Sequence, residues 1–540
     1  MTSLSVATAV LLSTLCLLLS NEASGYNLTV ETKHGYVRGY EAISLANSNV
    51  TYYAFQGVPY GKPPVGSLRF QDPQPVASWD GVINATSFKP VCAALERGQV
   101  LVGSEDCLYL NVYVPKTNQN NEELSLPVVA WIHGGAFTRG NAQFNPSYLI
   151  EKPMIVVTIE YRLGIMGFLS TVDQNAMGNA GLKDQQLALQ WIQNNIANFG
   201  GDPNRVTIYG QSAGSVSIEY QILSPKSAGL FSQAIASSGS TLNEWAFIKN
   251  PLQLTVRLAR RFNITSNDTK QIVSSLQQIS WDALVRNSEV YGRFVPSVEA
   301  ESSDAFMSQS TYDLWSAGKF NKVPFLRGYN SEEGAYGRPF YTQYGNNSKT
   351  VIPAGLNMNL SSSEADEVVN VISERYFPGK SYTNFTNAIN FMTQQYFVKG
   401  IRKVARDYVN SSTPLFFYKF TYVTKENYTR GVIGGAGHAE EIVYVWYSRK
   451  LLNDEDVLMK DRMTTLLANF IINGHPTPEK DPVLQNVSWP EASDGIESVD
   501  DIRYIEIGRN LVPGLNPDHE DFLFWKDLFR KYAKPPIYTY

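Results

Sequence analysis

The sequence predicts an α/β protein, in which helices cover both faces of a large, mostly parallel central sheet. Between residues 126 and 240, short apolar runs of strand length alternate with stretches of helical periodicity. This alternation is typical of parallel strands joined by crossover helices. The apolar runs lack polar alternation, as expected for strands that are covered on both faces. Because the 540 residues contain no repeats or low-complexity linkers, we expect a single domain over residues 25–540.

The predicted elements follow one another in a regular order. Val128–Ile132 and Met154–Ile159 are β-branched runs bounded by turn residues, and both predict strands. A helix is predicted over Leu182–Asn198, where apolar residues recur at helical spacing and a Gly-Gly-Asp-Pro stretch follows. Arg205–Tyr209 predicts the next strand, and a second helical stretch comes directly after it. Residues 241–410 are more helical and polar, so we expect them to form insertions over one end of the sheet, above the active site.

Composition and net charge limit the kinds of partner that the protein is expected to bind. With 43% apolar and 18% charged residues, the chain has enough material for a buried core. The net charge of −5 is small for this length. The sequence contains no basic stripe, so nucleic acid is not expected as a partner.

The chain ends carry signals for export. An apolar run over Val6–Ser20 is too short for a comfortable membrane span, and we interpret residues 1–24 as a signal peptide. No Lys or Arg precedes the run, and a membrane anchor is the alternative interpretation. Lys534–Tyr540 has neither an ER-retention tetrapeptide nor an apolar tail for a lipid anchor. We therefore expect a secreted, extracellular protein with no membrane anchor in the mature chain.

Cysteines and glycosylation signals agree with export. Loss of Cys16 with the signal peptide leaves Cys92 and Cys107, which in an exported chain predict one disulfide worth about 3 kcal/mol. Two free buried thiols are the alternative for a cytosolic chain. Eleven Asn-x-Ser/Thr sequons predict a glycosylated surface. The sequon asparagines are Asn27, Asn49, Asn84, Asn263, Asn267, Asn346, Asn359, Asn384, Asn410, Asn427 and Asn486.

The candidate nucleophile is Ser212. Gly210-Gln211-Ser212-Ala213-Gly214 matches G-x-S-x-G and lies directly between a predicted strand and a predicted helix. Such a turn lifts the hydroxyl clear of the sheet, and the following helix N-terminus directs N–H groups and a positive dipole towards it. The alternative interpretation is a Gly/Ser-rich turn without chemical importance.

A glycine-rich loop upstream is the candidate oxyanion hole. Trp131-Ile-His133-Gly134-Gly135-Ala136-Phe137 follows the strand at Val128–Ile132. Esterases use such a loop to point backbone N–H groups at the negative charge that develops during acyl transfer.

These motifs, together with several longer ones, resemble the type-B carboxylesterase and cholinesterase family, especially its secreted insect members. The resemblance extends from about residue 29 to the C-terminal region. The matching segments are Phe55-Gln-Gly-Val-Pro-Tyr60, Pro63-Pro-Val-Gly-Ser-Leu-Arg-Phe70, Glu105-Asp-Cys-Leu-Tyr-Leu-Asn-Val112, Tyr161-Arg-Leu-Gly164, Gly178-Asn-Ala-Gly-Leu-Lys-Asp-Gln185 and Phe199-Gly-Gly-Asp-Pro-Asn204. The resemblance implies an α/β-hydrolase fold.

The resemblance also assigns particular residues. It implies that the N–H groups of Gly135, Ala136 and Ala213 form the oxyanion hole. It implies two structural ion pairs, Arg69–Glu105 and Arg162–Asp184. It also implies that Cys92 and Cys107 form the first disulfide of the family.

His438 is the candidate general base. Ser needs an adjacent base to attack a carbonyl at neutral pH. Four of the five histidines lie near the mature N-terminus, in the oxyanion loop, after a helix or in a polar C-terminal stretch. His438 remains, and Gly435, His438 and Glu441 match the G-x-x-H-x-x-D/E motif of the family. The neighbouring carboxylates lack a second His at ligand spacing, so no metal or other cofactor is expected.

The acid of the triad is expected between residues 212 and 438, because the order in this fold is Ser, acid, His. Arg327-Gly-Tyr-Asn-Ser-Glu-Glu-Gly334 follows a predicted strand and resembles the acid loop of the family. Glu333, directly before Gly334, is our choice. Glu332 is the alternative.

The sequence thus predicts a secreted carboxylic ester hydrolase that uses a Ser-His-Glu triad and an acyl-enzyme on small or medium apolar esters. General, odorant and xenobiotic carboxylesterases fit this description. The Gly-Gln-Ser-Ala-Gly motif, with Gln211 before the serine, resembles that of juvenile hormone esterases, which are the alternative. A binding or adhesion relative without activity is the alternative of another class. Cholinesterase activity is not expected, because the Cys92–Cys107 loop contains no Trp or Tyr for a cation site.

Overall fold

The structure is a computed structural model that describes residues 28–96, 99–116, 125–288, 292–340, 344, 347–424, 433–449 and 453–540, with the backbone alone at 337–340. The predicted signal peptide and the sequons at Asn27, Asn346 and Asn427 lie outside the described residues. No helix within those ranges is long and apolar enough to cross a membrane.

In the described chain ten strands precede the first α-helix, and from that helix onwards single strands are separated by one or more helices, until the last two strands, which are consecutive. The strands are β1 (Thr29–Thr32), β2 (Gly35–Arg38), β3 (Tyr40–Ile43), β4 (Thr51–Pro59), β5 (Val82–Asn84), β6 (Ala94–Glu96), β7 (Val100–Val102), β8 (Tyr109–Pro115), β9 (Leu126–Ile132), β10 (Ile155–Ile159), β11 (Gly201–Gln211), β12 (Gln233–Ser237), β13 (Phe325–Asn330), β14 (Leu415–Phe420), β15 (Arg503–Ile507) and β16 (Leu511–Leu515). The α-helices are α1 (Gly164–Phe168), α2 (Ala180–Asn195), α3 (Ala213–Leu223), α4 (Pro251–Arg261), α5 (Thr269–Gln277), α6 (Trp281–Ser288), α7 (Thr311–Ser316), α8 (Ser363–Tyr376), α9 (Phe385–Thr393), α10 (Lys399–Val409), α11 (Asp454–Asn473) and α12 (His519–Tyr532).

One large sheet organises the molecule. Within the described residues it contains eleven strands in the order β16-β15-β14-β13-β12-β11-β9-β10-β8-β4-β3. The strands from β15 to β10 pair in parallel, and the antiparallel pairs lie towards both edges. The predicted fold class, a mostly parallel sheet between helices, is confirmed.

Both faces of the central strands are buried. In β9, Val128, Ala130 and Ile132 belong to the core on one face of the sheet, whereas Val129 and Trp131 belong to the core on the other face. Successive side chains of a strand point to opposite faces, so a doubly covered strand must be apolar at every position. This explains the uninterrupted apolar runs in the sequence.

Predicted element bounds differ from the observed ones mainly at the ends. The third predicted strand extends back to Gly201, because Gly201 pairs with Leu126 across a register irregularity that precedes Val206. The predicted helix begins two residues earlier than Leu182, at Ala180, and continues after Asn195 as a 3₁₀ turn. Residues 241–410 contain seven α-helices within the described part, and they also contribute β13 to the centre of the sheet.

The predicted disulfide and the predicted glycosylation sites can be compared with the structure. Cys92 and Cys107 form a disulfide with their Cα atoms 4.9 Å apart, which confirms this pairing. All eight sequon asparagines that lie in the described ranges are exposed to solvent. Glycosylation itself stays a prediction.

Candidate active site

Ser212 occupies a strained turn between β11 and α3. Its backbone has φ 59° and ψ −122°, a conformation that costs on the order of 1–3 kcal/mol for a residue with a side chain. The two flanking glycines make this turn sterically feasible. A Cβ atom on Gly210 would lie 2.3 Å from the carbonyl oxygen of Gly214, and one on Gly214 would lie 2.1 Å from the carbonyl oxygen of Ile132. The turn places the hydroxyl at the end of the central strands, where the loops of the sheet meet.

His438 joins Ser212 to Glu333. The Nε2 atom of His438 lies 2.9 Å from the Oγ atom of Ser212. On the other side of the ring, Nδ1 lies 2.5 Å from the Oε2 atom of Glu333. These three side chains come from loops that follow β11, β13 and β14, so the parallel sheet brings together residues that are more than two hundred positions apart.

The two adjacent glutamates in the acid loop point in different directions. Glu333 is completely buried, and its Oε1 atom accepts the N–H of Asn330 at 2.7 Å. The carboxylate of Glu332 instead accepts the N–H of Ile433 at 2.9 Å. Glu332 therefore supports the backbone of the loop that carries His438, whereas Glu333 contacts the imidazole.

A second buried carboxyl group lies behind this arrangement. Glu441 is completely buried, and its Oε2 atom accepts the side-chain N–H of Asn330 at 2.5 Å. The same Nδ2 atom donates to the carbonyl oxygen of Gly437 at 2.7 Å. Burial, and then the negative charge of Glu333, raise the pKa of Glu441 to about 8. Glu441 is thus neutral at pH 7 and adds no second charge next to Glu333.

The predicted oxyanion loop lies against the turn that carries Ser212. Gly135, Ala136 and Phe137 have positive φ values of 121°, 55° and 61°. A Cβ atom on Gly134 would lie 2.5 Å from the carbonyl oxygen of Gln211, so glycine permits the close approach of the two loops. The described residues provide no acceptor for the N–H groups of Gly135, Ala136 or Ala213.

His133 belongs to the support of this loop. Its ring stacks on Tyr161 with centroids 4.5 Å apart, and its Nδ1 atom lies 2.8 Å from the carbonyl oxygen of Gly134. Burial lowers the pKa of His133 to about 4 and raises the pKa of the nearby Glu160 to about 8. Both side chains are therefore neutral at pH 7.

The hydroxyl of Ser212 opens into a cavity of about 380 Å³. Large side chains from the 241–410 segment form much of its wall, namely Trp245, Tyr336, Met392, Tyr396 and Phe397. The ring of Phe397 lies 4.8 Å from the ring of His438 between centroids. Sequence reasoning predicted insertions above the active site but none of these individual residues, and the sequence gives no local signal for them. Asn330 was also missed, although it lies inside the acid-loop motif.

The two predicted ion pairs are present away from the cavity. Arg69 forms a bidentate pair with Glu105, with N–O distances of 2.5 and 2.6 Å. Arg162 pairs with the completely buried Asp184 at 2.8 and 2.7 Å. Neither pair lines the cavity that contains Ser212.

Comparisons with known proteins identify the family of the chain. The sequence model of the Carboxylesterase family matches residues 27–525. Juvenile hormone esterase of Tribolium castaneum is 35% identical, over 90% of each chain. A carboxylic ester hydrolase of Bombus ignitus is 32% identical, over 92% of this chain and 94% of the relative.

Among solved structures, juvenile hormone esterase from Manduca sexta with OTFP covalently attached matches with a TM-score of 0.81 and 27% identity. The match covers 94% of this chain and 100% of that one. The α/β-hydrolase fold that the resemblance implied is thereby confirmed. The chain belongs to the carboxylesterase family, and the protein is a carboxylesterase, a serine hydrolase that acts on carboxylic ester bonds.

Proposed function

We propose that the esterase reaction proceeds through a triad of Ser212, His438 and Glu333. The observation that carries this proposal is the continuous hydrogen-bond path from the Ser212 hydroxyl through the imidazole to Glu333, with distances of 2.9 and 2.5 Å. Glu333 accepts the Nδ1 proton of His438 and so leaves Nε2 available as the proton acceptor. Ser212 is thereby activated as a nucleophile at neutral pH.

The reaction has two acyl-transfer steps. As Oγ of Ser212 forms a bond to the ester carbonyl carbon, its proton moves to Nε2 of His438. The tetrahedral intermediate then collapses, the bond to the alcohol oxygen breaks, and His438 returns the proton to the departing alcohol. Water repeats the sequence on the acyl-enzyme and releases the carboxylic acid and free Ser212.

The N–H groups of Gly135, Ala136 and Ala213 stabilise the oxyanion in both steps. Their proposed role is supported by the positive φ values at Gly135 and Ala136 and by the position of Ala213 as the first residue of α3. Each donor of this kind contributes about 3–4 kcal/mol to the transition state in related chemistry. No organic or metal cofactor takes part in these steps.

The preferred substrates are small or medium esters with an apolar body. Aromatic rings and Met392 surround the space next to the nucleophile, and its volume of about 380 Å³ is in the range of small-molecule sites. Such a wall stabilises apolar groups on either side of the ester by removing them from water.

Juvenile hormone esterase is the second candidate function. It is favoured by Gln211 beside the nucleophile and by the two relatives that carry this name, from Tribolium castaneum and Manduca sexta. Turnover of a juvenile hormone at a kcat/KM at least about tenfold above that of the best p-nitrophenyl ester would favour this candidate over a general carboxylesterase.

Export through the predicted signal peptide is part of the proposal. The Cys92–Cys107 disulfide and the exposed sequon asparagines support it. Expression of the full chain in insect cells should place active enzyme in the medium, with a new N-terminus near residue 25 and a mass that falls after glycosidase treatment. Enzyme that stays inside the cells with residues 1–24 attached would contradict it.

The proposed nucleophile is tested with Ser212→Ala. Turnover of p-nitrophenyl esters of increasing acyl length should fall by several orders of magnitude, with the circular dichroism spectrum unchanged. Ser215→Ala, three residues further along the chain and within α3, is the matched control and should keep turnover within a few-fold. Retained turnover in Ser212→Ala would disprove the assignment.

A further inference from the structure

The cavity next to Ser212 has an unbalanced set of charges. Arg139 and Arg293 both line it, and the described lining residues include no Asp or Glu. Glu333 is the nearest acidic partner of the catalytic groups, but it is completely buried behind the imidazole of His438. The described lining of the cavity therefore includes two arginines and no Asp or Glu.

Arg139 is held in place by its own loop. Its backbone N–H donates to the carbonyl oxygen of Gly135 at 3.2 Å, so it lies in the same tight turn as the proposed oxyanion donors. Its Nη2 atom donates to the hydroxyl of Tyr336 at 2.6 Å. The ring of Tyr336 contacts the ring of His438 edge-on, with centroids 5.2 Å apart. The guanidinium is thus one tyrosine side chain away from the proposed base.

Among the described residues, the side-chain partner of Arg139 is the neutral hydroxyl of Tyr336. Within the described ranges, no carboxylate lies within ion-pair distance of Arg139. Glu96 approaches the same loop, but its Oε1 atom accepts the N–H of Gly140. Because a guanidinium has five N–H donors, the bond to Tyr336 leaves others for a ligand.

Arg293 contributes a second positive charge from a different part of the chain. It follows α6, and the buried side chains of Phe294 and Val295 directly after it fix the backbone. Arg293 itself is exposed, and no ion pair to it is present among the described residues. Two cations from separate segments therefore share one cleft.

Uncompensated cations in a cleft with apolar walls raise the local concentration of anions and lower that of cations. Guanidinium groups also match the planar geometry of carboxylate and phosphate oxygens. We infer that this site prefers apolar esters that carry an anionic group, a carboxylate or a phosphate, which Arg139 and Arg293 bind while the apolar body contacts the aromatic wall. This inference rests on the proposed function of the site and specifies its substrate class.

The test compares pairs of esters of similar size in which an anionic group replaces a neutral amide, with the spontaneous hydrolysis of each ester subtracted. On the acyl side, mono-p-nitrophenyl glutarate is compared with its primary amide. On the alcohol side, para-butanoyloxybenzoate is compared with para-butanoyloxybenzamide, and para-butanoyloxyphenyl phosphate replaces the carboxylate by a phosphate. In at least one comparison, kcat/KM should be about fivefold or more higher for the anionic ester, and this ratio should shrink in about 1 M NaCl, which screens exposed charges.

Variants assign the preference to the two arginines. In the double variant Arg139→Gln, Arg293→Gln, the anionic-to-neutral ratio should fall to about one. Arg139→Lys keeps the charge and should retain most of the ratio. Arg509→Gln removes an exposed arginine that pairs with Glu455 outside the cavity, and it should leave the ratio unchanged.

The outcomes separate this inference from the proposed function. Turnover of the neutral esters without any anionic preference, or a preference that survives the double substitution, would overturn the role of the arginines and leave the triad intact. Failure of the wild-type enzyme to hydrolyse neutral and anionic esters alike would overturn the proposed function itself.

Discussion

Two histidines lie beside buried glutamates near the proposed nucleophile, and their surroundings differ. His438 lies 2.5 Å from Glu333, borders the cavity and is within hydrogen-bond distance of Ser212. The Nε2 atom of His133 lies 3.9 Å from Glu160, which is too far for a hydrogen bond. The ring of His133 stacks on the ring of Tyr161. We therefore expect these identical residue types to serve different roles, because His438 borders the cavity and His133 is buried away from it.

The energetic consequence follows from burial. Around His133, burial favours the neutral forms of both the imidazole and Glu160. This pair therefore carries no charge at pH 7 and contributes to the structure through packing. Around His438, the proposed mechanism needs an imidazolium to form in every turnover, and the directly bonded carboxylate of Glu333 stabilises that charge. Under the proposed mechanism, His438 serves as the base because it borders the cavity and is hydrogen-bonded to Glu333, whereas the Nε2 atom of His133 lies 3.9 Å from Glu160.

The largest effect that separates the two histidines is expected in turnover. His438→Gln should lower kcat/KM for p-nitrophenyl butyrate by about ten-thousand-fold, because the proton acceptor is lost. His133→Gln should lower it by at most about a hundredfold, through a displaced oxyanion loop. Equal losses in steady-state kinetics would show that the contrast between the two pairs is wrong.

The acid loop offers a second contrast. Glu333→Gln should lower kcat by roughly a hundredfold to ten-thousandfold, because an amide cannot stabilise the imidazolium. Glu332→Gln is the matched control, since its carboxylate contacts the backbone of Ile433 instead, and kcat should stay within about tenfold. Larger damage from the Glu332 variant in the same assay would reverse the assignment of the acid.

Glu441 extends the comparison to stability and pH. Its pKa is about 8 in the folded protein and about 4.5 when unfolded, so between these pH values only the folded state holds the proton. The free energy of unfolding therefore falls as pH rises through this window, by up to ~1.4 kcal/mol per pH unit from this group. The Glu441→Gln variant cannot ionise at this position, so its free energy of unfolding does not include this decrease.

Denaturant unfolding at several pH values tests the direction of this change in stability. The stability of Glu441→Gln relative to the wild type should increase steadily from about pH 5 to about pH 8 and level off above it. A difference that stays constant over this range, or that decreases, would contradict a neutral Glu441 in the folded state.

The smallest effect is expected at Glu160. Because its carboxyl group is already protonated at pH 7, the isosteric Glu160→Gln variant should change the free energy of unfolding by no more than about 1 kcal/mol at that pH. Its esterase activity should stay within a few-fold of wild type. A collapse of stability at neutral pH, measured by the same unfolding titration, would indicate a charged pair with His133.

The sequence predicted the parts of this structure that depend on local pattern or on spacing along the chain. The strands around Val128–Ile132 were recognisable because burial on both faces requires an apolar residue at each position. The turn at Ser212 was recognisable because its geometry requires glycine at fixed neighbours. The order Ser, acid, His restricted the acid to residues 212–438, and the resemblance of Arg327–Gly334 to the acid loop of the family indicated the loop after β13, although two adjacent glutamates lie there.

The rest depends on contacts between distant segments. Trp245 and Phe397 reach the cavity from separate insertions, and neither position differs in pattern from an ordinary core residue. The charge state of Glu441 depends on burial and on Glu333, which is more than a hundred residues away. The local sequence pattern therefore does not indicate it. The register irregularity that extends β11 back to Gly201 likewise arises from pairing with Leu126.

Covalent labelling tests the central claim most directly. Wild-type enzyme treated with diisopropyl fluorophosphate should lose activity with one label per chain, and peptide mass spectrometry should locate the adduct on Ser212. His438→Gln, which keeps the serine but lacks its base, should label far more slowly. An adduct on a different residue that accounts for the loss of activity, or unchanged labelling of His438→Gln, would contradict a Ser212 nucleophile activated by His438.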